Sequence, residues 1–316
     1  MQIVQPDDVA SRRRCLRALI ERPGMTPAQV DEGVDALIRY AGKYGLDLQH
    51  CLGAEVDGRI VAACLCVDAP GRIASVFVPS SLAGPDAVAC AAALLQETVS
   101  RALGRNIQFV QATIDPDAAG EAEILARADF ELLTTLIYLE NDLTTPRPRD
   151  KQIAALEWVA YGEDTHQLFA ETLEATYQDS LDCGSLNGRR SIEDILASHR
   201  AVGEFDPRLW FTGLLAGRPA GVVLVNSIPQ RWVCEVVYMG VAPWARRQGV
   251  GRALLARALD VARDRAAVSL NLTVDVRNTP AQRLYASFGF REESRRDVWI
   301  RFLDDALAGG ETRDSF

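Results

Sequence analysis

Lysine is nearly missing from this sequence: of 34 basic residues only Lys43 and Lys151 are lysines, against 43 acidic residues, and the formal net charge is −9. A protein that binds nucleic acid in general neutralises phosphates with a basic surface, so that class is excluded, whereas an acidic surface tolerates a cationic amine substrate. Histidine occurs three times (His50, His166, His199), always alone, and the seven cysteines (Cys15, Cys51, Cys64, Cys66, Cys90, Cys183, Cys234) lack paired metal-type spacing. Reduced, buried thiols and no metal site are expected. Nor is there an apolar run of the roughly 18 residues that cross a bilayer, or the order of a secretory signal near Met1. A cytoplasmic protein without membrane or nucleic-acid partners follows as the expectation, a monomer or homodimer.

What the sequence does have is size and alternation. With 316 residues, 48% of them hydrophobic, two domains with real cores are possible. The apolar pattern breaks at "NDLTTPRPRDKQ" (Asn141 to Gln152), which predicts a first domain over 1–143, a linker over 144–152, a second domain over 153–305 and a frayed tail over 306–316. The second half reads as strand, helix, loop, helix, hairpin, strand, long helix, strand, short helix, strand. The first half follows a weaker version of the same order, so a repeat of about 150 residues is expected, with an α/β or α+β sheet fold in each copy.

One stretch spends glycine where a helix begins. "VAPWARRQGVGRALL" (Val241 to Leu255) follows an apolar strand and leads into an amphipathic helix with Val250, Leu254, Leu255, Ala258, Leu259 and Val261 on one face. A turn of unpaired N–H groups at a helix start binds anions, and glycine lets a phosphate approach them. Arg246, Arg247 and Arg252 add charge. A nucleoside-triphosphate loop is excluded because Arg252 and Ala253, not Lys and Ser/Thr, follow Gly251; a dinucleotide fingerprint is excluded because Leu254 stands where the third glycine belongs. A tight turn that needs glycine for geometry alone remains the competing reading.

On these residues the chain resembles the GCN5-related N-acetyltransferases. That family's pyrophosphate loop, Arg/Gln-x-x-Gly-x-Gly/Ala after a strand ending in Val-x-Pro, is matched by Val241-Ala242-Pro243 and Arg246 to Gly251. Its second motif, Asn followed seven residues later by Tyr and then by Gly-Phe, is matched by Asn278, Tyr285, Gly289 and Phe290. The resemblance covers roughly 154–303 and implies two tandem domains, each a mixed, mostly antiparallel twisted sheet flanked by helices. It implies acetyl-CoA as co-substrate and a small-molecule or peptide amine as acceptor. Backbone groups of Met239, Gly240 and Val241 would pair with the pantetheine arm. The N–H groups of Arg247, Gln248, Gly249, Val250, Gly251 and Arg252 would hold the pyrophosphate, Asn278 would contact the cofactor arm, and Tyr285 would protonate the departing thiolate.

Direct attack by an amine on a thioester needs a base, an oxyanion donor and an acid, and no cysteine intermediate. Glu235, on the strand beside the expected acetyl group, is the first candidate base and Asp275 the second. Strand alternation puts Glu235, Val237 and Met239 on one face and Val236 and Tyr238 on the other. Between the first two helices, Tyr177, Asp179, Asp182 and Arg190 are candidate acceptor contacts. The first half lacks the glycine loop after Val78-Pro79 and has Leu125 where Tyr285 would fall, so it reads as a degenerate copy. The tandem plan also resembles that of the mycothiol synthases. A non-catalytic acyl-CoA-binding module is the alternative from another class.

Overall fold

A computed structural model of the chain describes residues 1–22, 24–79, 86–144, 153–186 and 188–303. The expected tail and most of the expected linker lie outside the described residues, as does Gly84 of the first half.

The first half runs β1 (Gln2–Val4), α1 (Val9–Ile20), α2 (Pro27–Tyr44), β2 (Cys51–Val56), β3 (Arg59–Ala69), β4 (Ile73–Phe77), α3 (Ala87–Ser100), β5 (Phe109–Ile114), α4 (Ala119–Arg127) and β6 (Glu131–Asn141). The second half repeats that order as β7 (Glu157–Ala160), α5 (His166–Tyr177), α6 (Ile192–Arg200), β8 (Trp210–Leu215), β9 (Arg218–Ile228), β10 (Val233–Val241), α7 (Val250–Asp264), β11 (Ser269–Asp275), α8 (Thr279–Ser287) and β12 (Arg291–Phe302). The local causes are legible. Thr26 and Asp8 cap α2 and α1 with reciprocal side-chain bonds, and Pro27 opens α2 where a missing N–H costs nothing. β3 and β9 are nearly continuous apolar runs because helices cover both faces.

Packing divides the chain into two compact units, one of Met1–Leu133 with Asp297 onward, the other of Thr134–Arg296. In the first, strands lie in the order β1-β2-β3-β4-β5-β12, and in the second β6-β11-β10-β9-β8-β7. Only β4–β5 and β10–β11 are parallel; the other described pairs within each unit are antiparallel. The final strand of each sequence half thus completes the sheet of the other unit: Leu136–Asn141 pairs with β11, and Asp297–Phe302 with β5. The units divide at Leu133/Thr134 and Arg296/Asp297, not at the Pro-rich stretch after Asn141. Composition marks where a chain can turn, whereas a strand's sheet is fixed by the backbone partner it finds at long range.

In the second unit, α7 and α8 pack on one face of the sheet around Leu254, Leu255, Leu259, Leu270, Leu272 and Phe288. On the other face α5 and α6 enclose Phe169, Leu173, Leu196, Trp210 and Leu224. Close approach of β9 to β10 depends on Gly221: a Cβ there would lie 2.5 Å from the Gly240 carbonyl oxygen and 3.0 Å from Leu254 Cδ1. Since the first obstacle is backbone, Gly221→Ala should lower unfolding free energy by about 1–3 kcal/mol, read by urea denaturation; an unchanged midpoint would refute the constraint.

Candidate active site

The site begins where two parallel strands part. β10 pairs with β11 only from Val233 to Val236, opposite Ser269–Leu272. Beyond that β11 continues beside β6 as far as Asp275, while β10 continues beside β9 as far as Val241, with a bulge between the pairs of Val236 and Tyr238. Between the diverging ends lies a cleft of about 280 Å³. Its walls are Tyr238–Val241 of β10, Gly251 of α7, Asn278, Ala281, Leu284 and Tyr285 of α8, and Thr176 with Asp179–Asp182 at the end of α5.

The bulge changes which side chains share a face. Met239 and Val241 pack with Val236 toward α7, whereas Val237 and Tyr238 pack toward α5 and α6. The expected grouping of Glu235 with Val237 and Met239 is therefore corrected for Met239, because one extra residue on the bulged strand reverses the alternation. Ala242 N–H donates to the Ala220 carbonyl of β9 at 2.9 Å, so Val241's own backbone groups face the cleft, where its carbonyl accepts from Arg246 Nε at 3.1 Å.

At the cleft's mouth, Arg247 (φ 63°) and Gly249 (φ 82°) are left-handed, and the first intrahelical bond of α7 runs from Ala253 N–H to the Gly249 carbonyl at 3.1 Å. The N–H groups before it, those of Val250 and Gly251 among them, point out of the helix end, where the helix dipole is positive. The arginines of this turn do different things. Arg246 binds carbonyls at the end of α5, those of Gln178 (2.5 Å), Asp179 (3.3 Å) and Thr176 (3.4 Å). Arg252 turns toward α8, over the Phe288 ring at 5.0 Å and onto Ser287 Oγ at 3.2 Å. Arg247 and Gln248 are exposed. Asn278 caps α8 by accepting from Ala281 N–H at 3.3 Å, which fixes its side chain in the cleft wall.

Inside the cleft the Tyr285 ring is only 6% exposed. Burial pushes its phenol pKa up, and Asp182 and Tyr238 add to the effect. Asp182 also faces the cleft; burial raises its pKa, against the backbone N–H of Asp275 that donates to its Oδ1 at 2.9 Å. Asp275 behaves oppositely. Burial pushes its pKa up, but the Arg277 guanidinium (2.6 and 3.0 Å), the Arg277 and Cys183 N–H groups (2.8 and 3.1 Å) and Thr134 outweigh it, and the net shift is downward. A carboxylate so fully engaged is a joint in the scaffold, unsuited to taking up a proton. Asp182, Cys183 and Asp275 do bring ligand-capable atoms within 4.8 Å of one another, yet the guanidinium already occupies the central carboxylate.

Of the sequence candidates, Met239, Gly240, Val241, Arg246, Gly251, Asn278, Tyr285, Asp179 and Asp182 come together around this cleft. Glu235 does not line it. It lies four residues before Met239, roughly 13 Å along the strand at about 3.3 Å per residue, opposite Asn226 and Asn271, with its pKa raised by burial. Tyr177 and Arg190 stand behind the cleft. The Tyr177 ring lies 5.2 Å from that of Tyr238, and Arg190 donates to the Asp194 carbonyl (2.9 Å) and Ser198 Oγ (3.0 Å) of α6. Sequence reading missed Thr176 and Tyr238, whose hydroxyls meet at 2.8 Å in the inner wall, and His199, whose ring lies 5.5 Å from that of Tyr238 and whose pKa burial pushes down to about 4. The only signal for Tyr238 was its place one residue before Met239.

A larger hollow of about 710 Å³ lies at the other end of β10, lined by Asp206, Arg208, Trp232 and Arg265. Asp206 there already pairs with Arg208 and Arg265, and the hollow holds no residue of the glycine turn or of the Asn/Tyr motif, so the smaller cleft is the better site.

Residues 168–290 match the family described as "Acetyltransferase (GNAT) family". Mycothiol acetyltransferases from Thermomonospora curvata and Beutenbergia cavernae are 38% and 34% identical over 103 and 106 residues, each 33% of this chain. The match spans about a third of those relatives' own length, 34% and 35%. A GCN5-related N-acetyltransferase from Sphaerobacter thermophilus superposes with TM-score 0.61 at 18% identity, covering 92% of this chain and 90% of its own. A tandem GNAT protein from the clavulanic acid biosynthesis pathway gives 0.53 at 17%, covering 95% and 98%. At that identity the two structures speak to fold alone. The glycine turn, the Asn/Tyr motif and the parted strands all lie in one unit, and the segment that matches the GNAT family, residues 168–290, holds all three.

Proposed function

We propose that the second unit is an N-acetyltransferase that moves an acetyl group from acetyl-CoA directly to a primary amine of a small molecule or peptide. The observation that carries this reading is that the parted strands, the anion-receptive turn and a buried protonated tyrosine share one cleft. Along β10, the cleft-facing backbone of Met239 and Val241 is spaced to meet the amides of an extended pantetheine arm. The turn from Arg247 to Arg252 aims N–H donors and a helix dipole at a pyrophosphate. When bound, acetyl-CoA supplies the activated thioester. Tyr285 keeps its proton at neutral pH and donates it to the departing sulfur. Asp182, facing the same cleft, takes the proton from the amine. Glu235, the first candidate from sequence, is outside the walls of the cleft. Tyr177, Asp179 and Arg190 shape the side between α5 and α6 from which the acceptor enters.

Tyr285→Phe should lower kcat about 100-fold or more while leaving the Kd for acetyl-CoA within about twofold; unchanged turnover removes Tyr285 from the mechanism. Because a base works only when deprotonated, kcat/KM should fall as pH drops through the raised pKa of Asp182, above the usual Asp value of about 3.9. Asp182→Asn should abolish that acid limb and Glu235→Gln should leave it in place; the reverse pattern would restore Glu235 as the base. Gly251→Glu places a carboxylate against Leu284 in the cleft and should abolish acetyl-CoA binding in a calorimetric titration. No binding to the parent chain would sink the acetyltransferase reading. Binding without transfer to any of a broad amine panel would leave an acyl-CoA-binding module.

A further inference from the structure

The first unit has its own parted strands, with different chemistry between them. β4 and β5 are parallel only over Ile73–Ser75 and Phe109–Gln111. β4 then continues to Phe77 beside β3, and β5 to Ile114 beside β12. The cavity between them measures about 580 Å³, twice the cleft of the second unit, and lies within the size of sites that take small organic ligands. Leu19, Ile20, Leu37, Val76, Val78 and Ile114 give it apolar walls, and Phe77, 47% exposed, stands beside them.

Two charges of opposite sign face this cavity. Glu121, in the first turn of α4, is partly buried, and burial raises its pKa while Arg22 opposes the effect. Arg22, just past α1, is held in place by Nη1 donating to the carbonyls of Leu19 (2.8 Å) and Glu21 (3.0 Å). The two feel each other's field, yet among the described residues neither forms an ion pair, with the other or elsewhere. A desolvated carboxylate next to apolar walls is costly until a cation reaches it, and a fixed guanidinium presents its remaining donors to a carboxylate. A ligand with both charges satisfies both residues; a ligand with one leaves the other bare.

We infer that this cavity is a binding site for a small zwitterion with an apolar side chain, an α-amino acid, whose ammonium meets Glu121, whose carboxylate meets Arg22 and whose side chain fills the apolar wedge. The first unit is then a ligand-binding module, not an empty copy.

The test is calorimetric titration of the full chain with L-phenylalanine, beside phenethylamine and 3-phenylpropanoate, which each keep one of the two charges. One amino acid should bind per chain, and each control should bind at least tenfold more weakly. Glu121→Gln and Arg22→Gln should each weaken L-phenylalanine at least tenfold. Both sites are partly or fully exposed, and an unchanged thermal unfolding midpoint checks that the variants fold. Thr113→Trp, at an exposed position on the cavity wall, should abolish binding by filling the space. No binding of L-phenylalanine or L-leucine overturns the inference. So does binding that ignores all three variants, or phenethylamine binding as well as the amino acid. Acetyl-CoA affinity, read on the same variants, should not change, which separates this site from the one in the second unit.

Discussion

The cleft exists because a parallel ladder stops after four residue pairs. Had β10 stayed beside β11 beyond Val236, their backbone groups would have satisfied one another and left no slot for a ligand. The bulge at Val237 does two things at once. It bends β10 away, and it reverses the side-chain alternation so that Tyr238 turns toward α5 while Met239 and Val241 turn toward α7. A wall with backbone facing the gap and a phenol behind it results from a single extra residue.

Parted strands alone would be soft, and the end of α5 is what holds them open. Asp182 accepts from the Asp275 backbone while Asp275 accepts from the Cys183 backbone, a reciprocal tie between the loop after α5 and the end of β11. Arg246 ties the same loop to β10 through the Val241 carbonyl and those of Thr176, Gln178 and Asp179. The loop is thus fastened to both sides of the gap. Its cost is a desolvated Asp182, whose pKa burial pushes up.

How much of this was legible in sequence follows from the range of the interactions. The turn from Arg246 to Gly251 and the pair Asn278/Tyr285 are local, set by spacing within one turn and one short helix, and the structure places both around the cleft. The helices of the second half and their order were legible too, through apolar periodicity, whereas the opening helices α1 and α2 of the first half were not singled out. The bulge was not legible: nothing in "CEVVYMGV" distinguishes a bulged strand from a regular one, so Met239 was assigned to the wrong face, and Glu235, read as a candidate base, does not line the cleft. The exchange of β6 and β12 was equally invisible, because each strand's pattern fits either sheet and only long-range pairing decides. Asp275 read as a possible base until its acceptors were found occupied.

The two units show what the shared backbone fixes and what it leaves free. Both place a wedge at the end of their one parallel pair, so the wedge is a property of the topology. Its chemistry is carried by a few side chains on the short helix that follows. Where Asn278 caps α8 with its side chain, Ala118 precedes α4 with no side-chain cap, and where Tyr285 stands in one helix, Leu125 stands in the other. Loss of those groups removes a phenol and an amide from the wall, but it does not fill the space. Glu121 takes a carboxylate to a position where the second unit has Ala281, so the two wedges share a backbone plan and differ in the charge that lines them.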